Sequence, residues 1–425
     1  MRISSVLLGS AAAAAAAAAL AVAGSATAAD LPSRKAAPVE YVRACAQFGT
    51  GFFFIPGSDT CLRFSGRVRA DYIYAEPFAR STNALTFRSR GYIGLDSFTA
   101  TDWGPVRATT RLFVTKDTGS AYSTTLDWGY IQFAGITAGR IATSFFEFAP
   151  FGGVSILGGN GNGRGSDYGS INTLAYTITA GKLTATLALE DGTERQTGLQ
   201  NFNAAFGAAS TPTFGGQVVP DVVGRLDYTD TWGQLSLSGA VHQSRVGNGN
   251  VPGSVNLTPV ATILDTTYGF AIRGGVKVNL PMLAPGDALF LEAAYADGAN
   301  SYTGWNQVSV GTLAPATWDV VYDATGNAKA SQSWSITGGL QHFWTPTIRQ
   351  GVFAGYGELD QYGPLYDTAA FSVGSNIIWS PVRGFVIGAE VVYSKLTQTP
   401  RNLLPLAAGN SDDSWSGRLR FQHDF

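Results

Sequence analysis

Seven arginines stand close together in three successive segments: Arg63, Arg67 and Arg69, then Arg88 and Arg90, then Arg107 and Arg111. A guanidinium stays charged at any accessible pH and offers five N–H donors, so such a row can hold anions and set up a field but cannot shuttle protons. So dense a row needs carboxylates nearby, and Glu147 and Asp167 flank a glycine-rich stretch farther along. Bond-breaking chemistry has less to work with. His242, His342 and His423 are scattered, and His423 falls among apolar positions of the last segment, so no nucleophile with a base in reach is expected and no catalytic residue is assigned. The run Gly158 to Gly165 fits neither GxGxxG nor GxxxxGK[ST], and a calcium repeat would need Asp where Gly163 stands. Cys45 and Cys61, with fifteen residues between them and no histidine nearby, read as a disulfide and not as a zinc site. Neither a metal nor a cofactor is expected.

The arginines must be positioned by something that leaves the cytoplasm. Arg2, an alanine-rich apolar stretch from Val6 to Val22 and the small residues Ala26-Thr27-Ala28 have the form of a secretory signal, so residues 1–28 are assigned to a signal peptide and the mature chain to Ala29 or Asp30 onward. Beyond it no run of about 20 apolar residues occurs, so any membrane span must be β. Removing Arg2 from the 28 basic residues leaves 27 against 30 acidic ones. A net charge near −3 with no basic tract makes nucleic acid an improbable partner. Gly is 52 of 425 residues and charged residues only 14%, a composition unlike that of a soluble helical protein.

From Leu62 onward the chain runs in segments of roughly ten residues with apolar and polar positions alternating, separated by Gly, Asn, Asp and Pro. Leu62, Phe64, Gly66, Val68, Ala70 and Tyr72 share one face, and Arg63, Ser65, Arg67, Arg69 and Asp71 the other. The apolar face is rich in Gly and Ala, which fluid lipid tolerates and a packed sandwich core does not. Aromatic residues near segment ends (Tyr72, Tyr74, Trp103, Phe145, Phe146, Trp232, Trp344, Trp379, Phe385 and Tyr393) fit interfacial girdles. Short turns alternate with long polar connections at Thr193 to Val219, Gly247 to Thr266 and Asn300 to Ser331. The expectation is an all-β transmembrane antiparallel barrel over residues 62–425, of sixteen strands, with fourteen or eighteen also open. Residues 29–61 form a periplasmic segment closed by the disulfide. Leu419, Phe421, His423 and Phe425 line one face of the last strand, and terminal Phe425 is read as an assembly signal for the barrel assembly machinery.

The stretch Pro38 to Cys45, the run GTGFFFIPGSDTC from Gly49 to Cys61, FRSRGYIGLDSFTATDWG from Phe87 to Gly104 and AGRIATSFFEF from Ala138 to Phe148 resemble alphaproteobacterial general porins of the Brucella and Rhizobium type. The resemblance implies a trimeric sixteen-stranded outer-membrane channel for small hydrophilic solutes, with a third outer loop folding inward at about 147–168. A substrate-specific sugar or anion channel is the nearer alternative and an enzymatic barrel the remote one. Partners expected are further copies of the chain, outer-membrane lipid and lipopolysaccharide. With Glu147 and Asp167 meeting incoming ions first, a mild cation preference is expected.

Overall fold

The computed structural model describes residues 43–148, 155, 169–201, 214–246, 266–306, 308–323, 327–363, 366–400 and 409–425. The expected signal peptide, residues 1–28, and Asp167 lie outside them. One seventeen-stranded sheet dominates, and without its two-residue strand Phe53–Phe54 it comprises sixteen strands. These are β1 (Thr60–Ala75), β2 (Leu85–Thr99), β3 (Val106–Asp117), β4 (Ser123–Phe133), β5 (Ile136–Ile141), β6 (Ile171–Ala180), β7 (Leu183–Glu190) and β8 (Asp221–Asp230). The second half holds β9 (Gly233–Ser244), β10 (Thr267–Asn279), β11 (Ala288–Asp297), β12 (Gln332–Thr345), β13 (Ile348–Asp360), β14 (Tyr366–Val382), β15 (Phe385–Pro400) and β16 (Asn410–Asp424). Each pairs antiparallel with its neighbours in chain order, and β16 pairs with β1, so the sheet closes into a barrel with no free edge.

Strand alternation sets the two surfaces. On the outside Phe64, Val68, Phe87, Ile93, Leu112, Leu226, Ile272, Leu291 and Leu419 are exposed, as an apolar band against lipid requires. Trp103, Trp232, Trp344 and Trp379 are exposed at strand ends. Phe146 is the exception to the girdle pattern: it is fully buried, with Phe145 packed beside it, because the segment after β5 turns inward.

Turns at one end are short. Ala134 and Gly135 join β4 to β5 with φ of 48° and 86°, the left-handed pair that a two-residue hairpin with native strand twist demands. Connections at the other end are long, and two of them meet: Leu199–Asn201 pairs parallel with Val320–Tyr322, which pairs antiparallel with Ala328–Ala330. A disulfide ties Cys45, ahead of β1, to Cys61 near the start of β1, in a buried cluster with Phe52.

Candidate functional site

Register, not sequence proximity, assembles the charged inner wall. Across β1 and β2 the pairs are Arg63 with Asp96, Arg67 with Tyr92, Arg69 with Arg90 and Asp71 with Arg88. Across β2 and β3, Arg88 meets Asp117, Arg90 meets Thr115 and Tyr92 meets Phe113. Closure then brings in the last strand, with Asp424 beside Arg67, Gln422 beside Arg69 and Arg420 beside Asp71. All seven arginines anticipated from the sequence therefore share one face, joined by Arg418 and Arg420.

Carboxylates on the same wall hold most of these cations. Asp96 accepts from Arg63 at 2.8 Å and Arg107 at 2.9 Å. Arg67 binds Asp424 through two nitrogens, Arg88 binds Asp117 at 2.7 and 2.6 Å, and Arg111 binds Asp127 at 2.6 Å. Asp71 is buried between Arg420 at 2.6 Å and Arg418 at 3.9 Å. The side chains of Arg63, Arg67, Arg88, Arg107 and Arg111 remain 21 to 39% exposed. Pairs this wet stabilise by only about 0.2–1 kcal/mol each; their main effect is to fix where each guanidinium points. Nine arginines against Asp71, Asp96, Asp117, Asp127 and Asp424, with Glu390 directly opposite Arg418 and Asp412 on the same face of β16, leave the wall positive by two. Tyr92, 6% exposed, lies at its centre, with Arg67 and Arg69 each 5.5 Å, Arg90 5.9 Å and Arg111 4.9 Å from the ring centroid.

The counter-charges were expected on the segment after β5, and the structure corrects this. Glu147 is 2% exposed and pairs with the fully buried Arg195 at 3.0 Å, so its carboxylate does not face the arginine wall. The reason is a clasp. Ser144 and the Phe145 amide donate to Glu190 of β7 at 2.6 and 2.8 Å, Arg225 of β8 donates to the Glu147 carbonyl at 2.7 Å, and Ser238 of β9 and Arg273 of β10 donate to the Phe146 carbonyl. Phe148 clusters with Phe290 of β11, Phe353 of β13 and Val392 of β15, and lies so close over Gly275 that a Cβ there would stand 2.6 Å from the ring. Farther on, Ser155 donates to Glu390 of β15 at 3.0 Å. The described residues of this segment thus lie along β7 to β15, and β10 is eight strands from β2, half the barrel away.

The long connections thicken the same side. Tyr302 is buried against Phe146, with ring centroids 4.6 Å apart, under the Arg195 guanidinium at 4.3 Å, and its hydroxyl donates to Asp221 at 2.6 Å. Burial and the Asp221 charge push the Tyr302 phenol well above its ordinary range. Burial opposes the Arg195 charge, but the facing Glu147, Tyr302 and Glu190 outweigh it and raise its pKa. Asp319, buried between the Thr197 and Asn300 amides, is pushed up by burial against the pull of His242. Trp305, Val308 and Val310 pack on Leu359, Ala370 and Leu396 of β13 to β15, and Thr312 binds Asp412 of β16 twice at 2.7 Å.

The three histidines stay apart. His242 lies 2.9 Å from Asp221, His342 lies 2.6 Å from Asp287, and His423 stands outside between Phe385 and Phe425. No group of three metal-binding side chains occurs among the described residues.

Comparison with known proteins agrees with this architecture. The family model described as "Porin subfamily" matches residues 30–418. Over 444 residues, covering 100% of both chains, the sequence is 27% identical to Porin Omp2b of Brucella abortus (strain 2308), and over 445 residues 29% identical to Porin Omp2b of Brucella suis. Among solved structures it is similar to the outer membrane channel DcaP of Acinetobacter baumannii, with a TM-score of 0.62 and 15% identity over 88% of this chain and 99% of that one. It is similar also to Salmonella typhi OmpF, with a TM-score of 0.51 and 9% identity over 87% of this chain and 99% of that one.

Proposed function

The chain belongs to the porin subfamily and is an outer-membrane channel, and from that premise we propose that it works as a homotrimeric diffusion pore for small hydrophilic solutes, with its filter along the arginine wall of β1 to β3 and β16. One observation carries the reading: a closed barrel turns a continuous apolar surface outward and a charged row of part-exposed guanidiniums inward. An apolar exterior holds the barrel in lipid, and a polar interior replaces the water that a solute sheds on entry. Arg63, Arg67, Arg69, Arg88, Arg90, Arg107 and Arg111 line the path in this reading. The segment of about 147–168 sets its width, and Glu147 acts as that segment's anchor. Cation preference loses its main support once Glu147 is buried; the wall's excess of positive charge favours anions, because low-dielectric walls focus its field.

The ends follow from the same reading. Residues 1–28 direct export, residues 29–61 form the periplasmic segment that the Cys45–Cys61 bridge closes, and residues 62–425 form the barrel. Phe425 is the mark read by the barrel assembly machinery, and the outer face meets lipid and lipopolysaccharide. Purified protein added to a planar bilayer is expected to raise conductance in large uniform steps and to run as a heat-modifiable β-rich oligomer. A folded protein that never raises conductance would overturn the reading.

A further inference from the structure

Arg69 and Arg90 are the directly opposed pair of β1 and β2, and of the nine arginines of this wall they alone hold no carboxylate among the described residues. Arg69 donates twice to the Gln422 side-chain oxygen, at 3.1 and 3.0 Å; Arg90 donates to the Thr115 hydroxyl at 2.7 Å and the Tyr92 hydroxyl at 3.3 Å. Every one of those acceptors is neutral. Neither guanidinium has a nitrogen that is buried without a partner, so their remaining donors reach lumenal water. Like charges set directly opposite each other in a sheet repel, and elsewhere on this wall an aspartate relieves the repulsion. Here the register supplies the Tyr92 ring instead, 5.5 and 5.9 Å from the two guanidiniums. Its face attracts both cations without cancelling either charge.

We propose that Arg69 and Arg90 form a binding site for a phosphate dianion, free or carried on a small solute, that occupies the channel in transit. Two adjacent guanidinium forks present paired N–H groups to an oxyanion, and two positive charges match its two negative ones. Gln422, Thr115 and Tyr92 hold the forks in place, so little ordering cost remains when the anion arrives. The surrounding pairs, Arg67 with Asp424, Arg88 with Asp117 and Arg111 with Asp127, already have their anions. This assignment rests on the chain acting as a channel, and the test separates the two.

Chloride current through the reconstituted protein is measured while inorganic phosphate is added at a pH where it is a dianion. The expected result is saturable block, with the half-blocking concentration raised about tenfold by Arg69→Gln or Arg90→Gln, the weight of one charge-assisted hydrogen bond, and raised less by Arg90→Lys. Glycerol phosphate that blocks at similar concentrations assigns the site to phosphate carried on a solute; block by inorganic phosphate alone assigns it to the free ion. Block that never saturates, or that neither glutamine variant moves, or that succinate matches, overturns the proposal. Heat-modified gel mobility identifies variants that fold. Calorimetry of phosphate binding to the folded, detergent-solubilised protein reads the site without conduction: binding without any channel current faults the channel reading, and current without binding faults the site.

Discussion

Glu147 and Arg195 meet where neither touches water, with side chains 3% and 0% exposed. Removing one partner of such a pair strands the other charge, at a cost of about 3–5 kcal/mol. Glu147→Gln is therefore expected to loosen the clasp on β7 to β10, lower the thermal transition and make single-channel current noisier. Changing Arg195 to Met in the same chain should recover part of the loss, because no charge is then left stranded. The reversal potential in a salt gradient should hardly move, since Glu147 forms a neutral pair away from the arginine wall. A large shift towards anions would show instead that its carboxylate faces the permeating ions. Chain position put Glu147 at the mouth of an inward segment, but which way its side chain turns depends on Arg195, 48 residues later, and no periodicity reports that.

At the scale of strands, the alternation of apolar and polar residues made most of the wall readable: it placed the seven arginines on one face before any pairing was known. Which strands touch was not readable. Arg418, Arg420 and Asp424 carry the same alternation, yet their place beside Arg67 and Asp71 exists only because β16 closes on β1. The carboxylates for the wall were sought on a loop for the same reason; Asp71, Asp117 and Asp127 become partners through register alone. Closure also explains the terminal residue. The Phe425 amide and carbonyl pair with those of Gly66 at 3.0 and 2.7 Å, and its ring covers Gly66 so closely that a Cβ would stand 2.4 Å from it. Gly66→Val should therefore reduce the yield of heat-modifiable barrel, as should deletion of Phe425, while barrels that do form conduct normally. Deletion with unchanged yield would count against an assembly role for the last residue.

For the whole molecule, strand length is the informative variable. β5 has 6 residues and β7 has 8, whereas β14 has 17. Six tilted residues reach roughly 15 Å along the membrane normal, short of the ~25 Å apolar band that lipid requires. In the trimer proposed above, the low side of the barrel is where other copies of the chain are expected. Leu174 of β6 and Val391 of β15 both point outward, at 53% and 48% exposure. Leu174→Lys is expected to convert the oligomer to monomers on unheated gels, and Val391→Lys to reduce membrane insertion while leaving the oligomer intact. Equal behaviour of the two variants would remove the low side as the interface.

The anchoring contacts described above for the segments that run in from the long-loop end fall on β7 to β16, and Glu194 adds an ion pair with Arg140 of β5 at 2.7 Å. This division of labour makes the channel unusually open to redesign. In the reading proposed above, where the anchored segments set the bore, side chains on the first four strands can be exchanged to change what the passage admits without touching the clasp on Glu190, Arg225, Ser238 and Arg273. The bore in turn can be widened by trimming the anchored side, with the chemistry of the opposite bank left as it is. In a narrower barrel one residue often has to serve both ends, and every change of selectivity then becomes a change of size.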